Sequence, residues 1–193
     1  VAAVTAKANS LIQSANQSLS SSGITGSSFI SVGVAAGSQD FEVSSNGGTQ
    51  AIKWMASDDG VKTERDSKKA DLVSMLLGNS VAVNGTIWGG QASVLSNAAG
   101  QPDAVYLSCF TGDCKGSTFT HELGHNAGLM HNIEIAPQNG VFPYSRGAFF
   151  KGTDQKEYYT IMAYGTKDPN LVNWESDAVR VDKFTGTSTM HAG

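Results

Sequence analysis

The sequence holds no apolar run approaching the roughly 20 residues that a membrane-crossing helix needs, which argues against a bilayer-spanning protein. It has no excess of basic charge: 13 Lys and Arg stand against 17 Asp and Glu, a net charge of -4. That balance leaves neither the basic footprint of a nucleic-acid binder nor a polybasic patch for a membrane surface. Cysteine is scarce, with Cys109 and Cys114 the two present, so a four-cysteine metal site and a disulfide-dense scaffold are both excluded. There is no internal repeat and no long disordered linker. Val1 opens no charged-then-apolar secretory leader, and the chain reads as a mature or processed form.

What is present is the composition of an ordinary soluble domain, 40% hydrophobic and 16% charged over 193 residues. That length suits a single domain with its own core. The 22 glycines, with abundant Ser, Ala, Asn and Thr, point to a loop-rich fold. Cys109 and Cys114 lie in Cys-Phe-Thr-Gly-Asp-Cys. They read as two buried thiols or, because Thr-Gly-Asp lets the chain turn back, as a small disulfide loop. The loop reading points to an oxidising compartment.

Val4, Ala8, Leu11, Ile12, Ala15 and Leu19 fall at helical spacing, so the first 20 residues form an amphipathic helix ended by Ser20-Ser21-Ser22-Gly23. Phe29 to Val34 reads as a strand with Ile30, Val32 and Val34 on one face. A short helix is expected over 49–57, with 60–70 continuing helically or as a solvated turn. Ala70 to Leu77 reads as a buried strand, 79–102 mostly as loop, and Ala104 to Cys109 as a second strand. This order suggests a mixed sheet with helices packed on it. Ser117 or Thr118 is the expected cap of the next helix. After residue 131 the regular patterning fades into loops and turns.

His121 and His125, four apart on that helix, present both imidazoles from one face, a spacing that lets two nitrogens reach one Zn²⁺ at about 2.0–2.1 Å. His131 is the candidate third ligand. A continued helix would carry it about 9 Å further along and far around the axis, so the chain must break and fold back. Gly128 lies where that break is needed, and glycine accepts a left-handed conformation without a Cβ penalty. Glu122 lies beside the metal without being needed as a ligand. Its carboxylate is placed to take a proton from a metal-activated water and return it to a leaving amine. A helix-capping Glu is the plainer alternative, and a structural zinc site would explain neither Glu122 nor an open ligand position.

The run from His121 to His131 resembles the metzincin zinc endopeptidases, whose signature is H-E-x-x-H-x-x-G-x-x-H followed by a Met-turn. Tyr159-Thr160-Ile161-Met162-Ala163-Tyr164 looks like that turn, with Met162 as the hydrophobic floor beneath the ligands. Ala70-Asp71-Leu72-Val73-Ser74 and Pro143-Tyr144-Ser145-Arg146-Gly147 are similar to the bacterial reprolysin-like branch that includes the peptidyl-Asp metalloendopeptidases. The resemblance implies an α/β (α+β) fold: a twisted mixed sheet and two long helices in an N-terminal subdomain (1–131), and a small irregular C-terminal subdomain (132–193), together one catalytic domain. It also implies a secreted, extracellular, monomeric enzyme with one catalytic Zn²⁺, acting on protein or peptide substrates and not on nucleic acid or membranes. The Ala104–Ser108 strand is then the edge strand that pairs with extended substrate. Tyr164 resembles the tyrosine that serves some relatives as a fifth ligand or transition-state donor, with a packed turn residue as the other reading.

Two departures stand out. Asn132 follows the third histidine where reprolysins typically carry Asp, and the usual C-terminal helix is not obvious in Thr185 to Gly193. The primed-side pocket implied by the family lies between Tyr164 and Trp174. A preference for acidic residues would need a cation there, for which Lys167, Arg146 and Arg180 are the candidates. Trp54, Trp88 and Trp174 are expected in the core or cleft, and His191 on the surface. Asp58, Asp59, Asp71, Asp103 and Asp113 form no EF-hand pattern, so calcium is left unassigned. The rivals to an endopeptidase are a catalytically silent binding module of the same shape and a zinc amidase acting on cell-wall peptides. An intact Glu122 favours an enzyme.

Overall fold

A computed structural model describes residues 2–37, 41, 47–78, 89–100, 106–110, 114–165 and 178–185. The architecture is mixed α+β, as expected. The opening helix α1 (Ala2–Ser21) buries Leu11, Ala15, Ser18 and Leu19. It closes at Gly23, where φ of 76° suits a residue without Cβ. Helix α2 (Gly47–Ser57) and helix α3 (Asp59–Lys68) follow. Asp58 caps α3 by accepting the Val61 N–H at 2.8 Å, so one of the acidic residues weighed for calcium has a structural task.

Strands β1 (Val73–Leu77), β2 (Gly90–Ala92) and β3 (Tyr106–Phe110) make one sheet in the order β1-β3-β2. β1 runs parallel to β3 and β2 antiparallel to it, so the sheet is mixed. The next helix, α4 (Gly116–Asn126), packs on it. Its Phe119 and Leu123 join Leu11, Ala15, Leu107, Cys109 and Cys114 in one buried cluster. Each fully buried Leu or Phe contributes about 1.5–3 kcal/mol, and this cluster fixes α4 between α1 and β3.

Several local expectations are corrected. Phe29 to Val34 forms no strand: Ile30 is 76% exposed, and the backbone of Phe29 bonds instead to the Asn16 side chain, donating to Oδ1 at 2.7 Å and accepting from Nδ2 at 2.8 Å. That amide satisfies both backbone groups of Phe29 without a neighbouring strand. The strand read over Ala104 to Cys109 is Tyr106–Phe110 and is central rather than an edge, and Ala104 and Val105 lie outside the described residues. The edge is β2, inside the segment read as loop, where Gly and Asn hid a three-residue strand. Neither Ser117 nor Thr118 caps α4. Lys115 holds the cap position and makes no side-chain capping bond.

Beyond residue 131 the chain is more regular than its pattern suggests. Strands β4 (Phe149–Lys151), β5 (Glu157–Tyr159) and β6 (Val179–Arg180) form a second three-stranded sheet. Its strands are two or three residues long, too short for period-two alternation to register. Trp88, Trp174, Lys167, Asp103, Asp113, His191 and the C-terminal stretch from 186 lie outside the described residues.

Candidate metal centre

Helix α4 presents His121 and His125 one turn apart, and their rings meet edge-on at 4.8 Å between centroids. The helix then stops. Gly128 adopts φ of 86°, and a Cβ there would lie 2.6 Å from Val141 Cβ, so both conformation and space demand glycine. The returning backbone is clasped at Met130, just before His131: Met130 N–H donates to Ser145 O at 2.9 Å, and Gly147 N–H to Met130 O at 2.8 Å. The segment from Pro143 to Gly147 thus holds the third histidine in place.

The three imidazoles converge. His131 Nε2 lies 3.1 Å from His121 Nε2 and 3.0 Å from His125 Nε2, and the three candidate ligand atoms all lie within 4.8 Å of one another. The edge of a tetrahedron with bonds of about 2.05 Å is about 3.3 Å, so the two separations that reach His131 suit Zn²⁺. The tautomers agree. His121 Nδ1 lies 2.7 Å from Ile161 O and His125 Nδ1 2.8 Å from Leu129 O. A carbonyl only accepts, so each Nδ1 carries the proton and each Nε2 lone pair faces the cluster. Burial, with the charge of His125 and of Arg180, lowers His121 to about 4. Burial and its two partners lower His131 to about 2, and burial lowers His125. Neutral imidazoles crowded nitrogen to nitrogen are the donor set of a cation.

Glu122 is 6% exposed on the same helix, and burial pushes its carboxyl up to about 8. Met162 is fully buried. It lies under the helix against Gly124, where a Cβ would collide with Met162 Sδ. Gly147 abuts the same turn, and its Cβ would collide with Ala163 N. The Tyr164 ring lies 4.1 Å from that of His131 and 5.9 Å from that of His121. Burial and the Glu122 charge raise the Tyr164 hydroxyl above its usual value, keeping it protonated. Cys109 and Cys114 are joined in a disulfide, both fully buried, tying the end of β3 to the start of α4.

Sequence reasoning brought together the residues of this centre but missed those that give it room. Gly124 and Gly90 were silent in the pattern. A glycine inside a helix costs about 1 kcal/mol relative to Ala, and that cost was the signal available for Gly124. Asn126, part of the stretch that resembles the reprolysin-like branch, has a structural task that the pattern does not reveal. It is buried, and its Nδ2 donates to Ser93 O at 2.9 Å and Tyr106 O at 3.1 Å, fastening α4 to the sheet. A cavity of about 770 Å³ between residues 29–37, α3 and β1 is lined by none of the histidines.

A helix bearing H-E-x-x-H, a third histidine returned by a glycine turn and a buried methionine below define a zinc metallopeptidase centre. The model of metallo-peptidase family M12 matches residues 2–175, and the chain belongs to that family. No curated protein matches it. A chain in a solved structure of a chaperone-substrate complex is similar in fold, with a TM-score of 0.60 at 18% identity over 95% of this chain and 26% of that one. The present chain therefore spans about a quarter of that chain's length.

Proposed function

We propose that this chain is a secreted endopeptidase in which His121, His125 and His131 hold one zinc ion and Glu122 is the general base. One catalytic domain over 1–193 would carry the zinc helix in its first part, to residue 131, and the Met-turn in its second. The observation that carries this reading is the convergence of three Nε2 atoms beside a buried carboxyl on the same helix. Bound zinc supplies Lewis acidity toward water and toward a peptide carbonyl. Glu122, ionised beside the bound cation, would take a proton from that water and return it to the leaving amine. Tyr164, kept protonated above His131, donates a hydrogen bond to the oxygen on which charge develops.

The substrate would lie along the outer edge of β2, which has β3 on one side and no strand on the other among the described residues. Backbone pairing there suits an extended peptide. The disulfide favours an oxidising, extracellular setting, and a monomer suffices, because one chain supplies every group named. For acidic residues beside the scissile bond, Arg180 is the favoured cation. It is exposed on β6 and close enough for its charge to lower the His121 pKa, although its Nε also pairs with Asp182 at 3.1 Å. Arg146 donates from Nε and Nη2 to Pro143 O, Gln138 O and Asn139 Oδ1, while its buried Nη1 has no hydrogen-bond partner among the described residues.

Cleavage products of a mixed peptide library, mapped by mass spectrometry, test these points together. Chelator-sensitive internal cleavage is expected, enriched beside Asp or Glu. The enrichment should fall in Arg180→Ala, and Glu122→Gln should lose turnover while keeping zinc. No chelator-sensitive cleavage by the zinc-loaded wild type would sink the enzyme reading. Cleavage indifferent to acids would remove only the preference.

A further inference from the structure

Glu122 is buried in a way that depends on what lies across from it. The neighbour is Gly90, the first residue of β2, paired with Cys109 of β3. A Cβ on Gly90 would lie 2.8 Å from Glu122 Cγ, 3.0 Å from Glu122 Oε1 and 3.1 Å from Ser108 O. Real side chains essentially never approach a Cγ so closely, and interiors this dense transmit the displacement. Gly90 is not among the residues of positive φ, so its backbone would accept an alanine. Space, not conformation, requires glycine here.

Nor can the strand move aside. Ser93, just past β2, accepts from Asn126 of α4, and Leu95 N–H donates to His125 O at 3.0 Å. On its other side, Thr49 Oγ1 donates to Gln91 Oε1 at 2.8 Å, and Ser108 Oγ bonds to Gly48 O at 3.3 Å. The disulfide joins Cys109, the partner of Gly90, to the residue two before α4 begins. Helix and strand are thus fastened at both ends of the stretch in which Glu122 meets Gly90. A group added at Gly90 would have to be accommodated by the Glu122 side chain.

We infer that Gly90 is a positioning residue: its missing side chain forms the wall that fixes where the Glu122 carboxylate stands. The inference rests on the assignment of Glu122 as base, and it adds a residue outside the zinc signature on which turnover depends. The atoms nearest a Cβ there belong to Glu122 and Ser108, not to the three histidines.

The test uses the zinc-loaded full chain, with steady-state kinetics on a fluorogenic peptide, zinc titration and thermal melting of wild type, Gly90→Ala, Glu122→Ala and the double variant. Gly90→Ala is expected to lower kcat about tenfold or more, as sub-ångström to ångström misplacement of a reacting group does. KM and zinc affinity should stay within about threefold. Glu122→Ala removes the Cγ that the added methyl would strike, so Gly90→Ala should lower the melting temperature in the wild type and hardly at all in that background. If Gly90→Ala folds poorly alone, recovery of folding in the double variant supports the contact. A kcat within about twofold of wild type, or additive losses of melting temperature, overturns the inference and leaves the endopeptidase reading standing. Absence of chelator-sensitive cleavage in the wild type overturns both.

Discussion

The Oδ1 of Asn132 accepts the backbone N–H of Tyr164 at 3.0 Å, tying the residue after the third histidine to the residue two past Met162. The same amide donates from Nδ2 to Glu134 Oε2 at 3.0 Å. The acceptor half of this role is open to the Asp that reprolysins typically carry, and the donor half is open only to an amide. Asn132 is 1% exposed, so Asn132→Ala strands buried polar groups and should cost about 1–3 kcal/mol. Asn132→Asp keeps the acceptor for Tyr164 but sets a second carboxylate against Glu134, so its loss should shrink at acidic pH, where a proton restores the donor. Urea denaturation at neutral and acidic pH checks this, and a loss that does not shrink on acidification would show that the Glu134 contact is not the deciding one.

Gly124 allows the Met162 sulfur to press into the helix. Gly124→Ala improves helix propensity by about 1 kcal/mol but forces a methyl into Met162 and Phe184. Overpacking of that kind costs about 1–3 kcal/mol, so a net loss is expected, with the metal site loosened. Calorimetric melting of the variant checks the sign. A gain in melting temperature would mean that the Met-turn retreats freely.

The Cys109–Cys114 disulfide closes a short loop, and removing it as Cys109→Ala with Cys114→Ala should destabilise by on the order of 2 kcal/mol. Both sulfurs are fully buried. Native protein should therefore resist mild thiol reductants, and reduction should follow unfolding. Rapid reduction of the folded chain, read by thiol labelling and mass spectrometry, would contradict this.

Stability of the metal-free chain should vary with pH in two opposing ways. His121 and His131 fall to about 4 and about 2 from an ordinary 6.5, so the unfolded chain binds the extra protons. Their contribution is full above 6.5 and shrinks as pH falls below it. Glu122 rises to about 8 from 4.5, so the folded chain holds the extra proton. Its contribution is full below 4.5 and is lost as pH rises through 8. Denaturation midpoints of wild type and Glu122→Gln (metal removed) should diverge progressively from pH 5 to 8, with the Gln variant flatter, and change together above 8. Parallel curves would show that the Glu122 carboxyl is not held protonated.

The histidine cluster was legible in the sequence because its spacing is set by helix geometry, and a turn glycine has few alternative meanings. α1 was legible for the same reason, twenty residues giving periodicity room to register. What failed were features decided by long-range contact. Phe29 to Val34 carries a strand pattern, yet Asn16 takes the backbone bonds of Phe29. β2 is too short and too glycine-rich to show a pattern, although it supplies both the sheet edge and the wall against Glu122. Gly90 and Gly124 are defined by what would collide with them, and a one-dimensional pattern contains no collisions.

A sheet edge left open among the described residues, as that of β2 is, offers its hydrogen bonds to any extended chain, including the same edge of a second molecule. The three residues of β2 set a limit on that hazard. Edge-to-edge association gains strength with length, and a ladder this short gives too few bonds to hold two copies together. A peptide that also reaches the histidine cluster has further contacts to make. Under the proposed function, brevity at the edge separates what would be captured briefly and released from what would accumulate as aggregate.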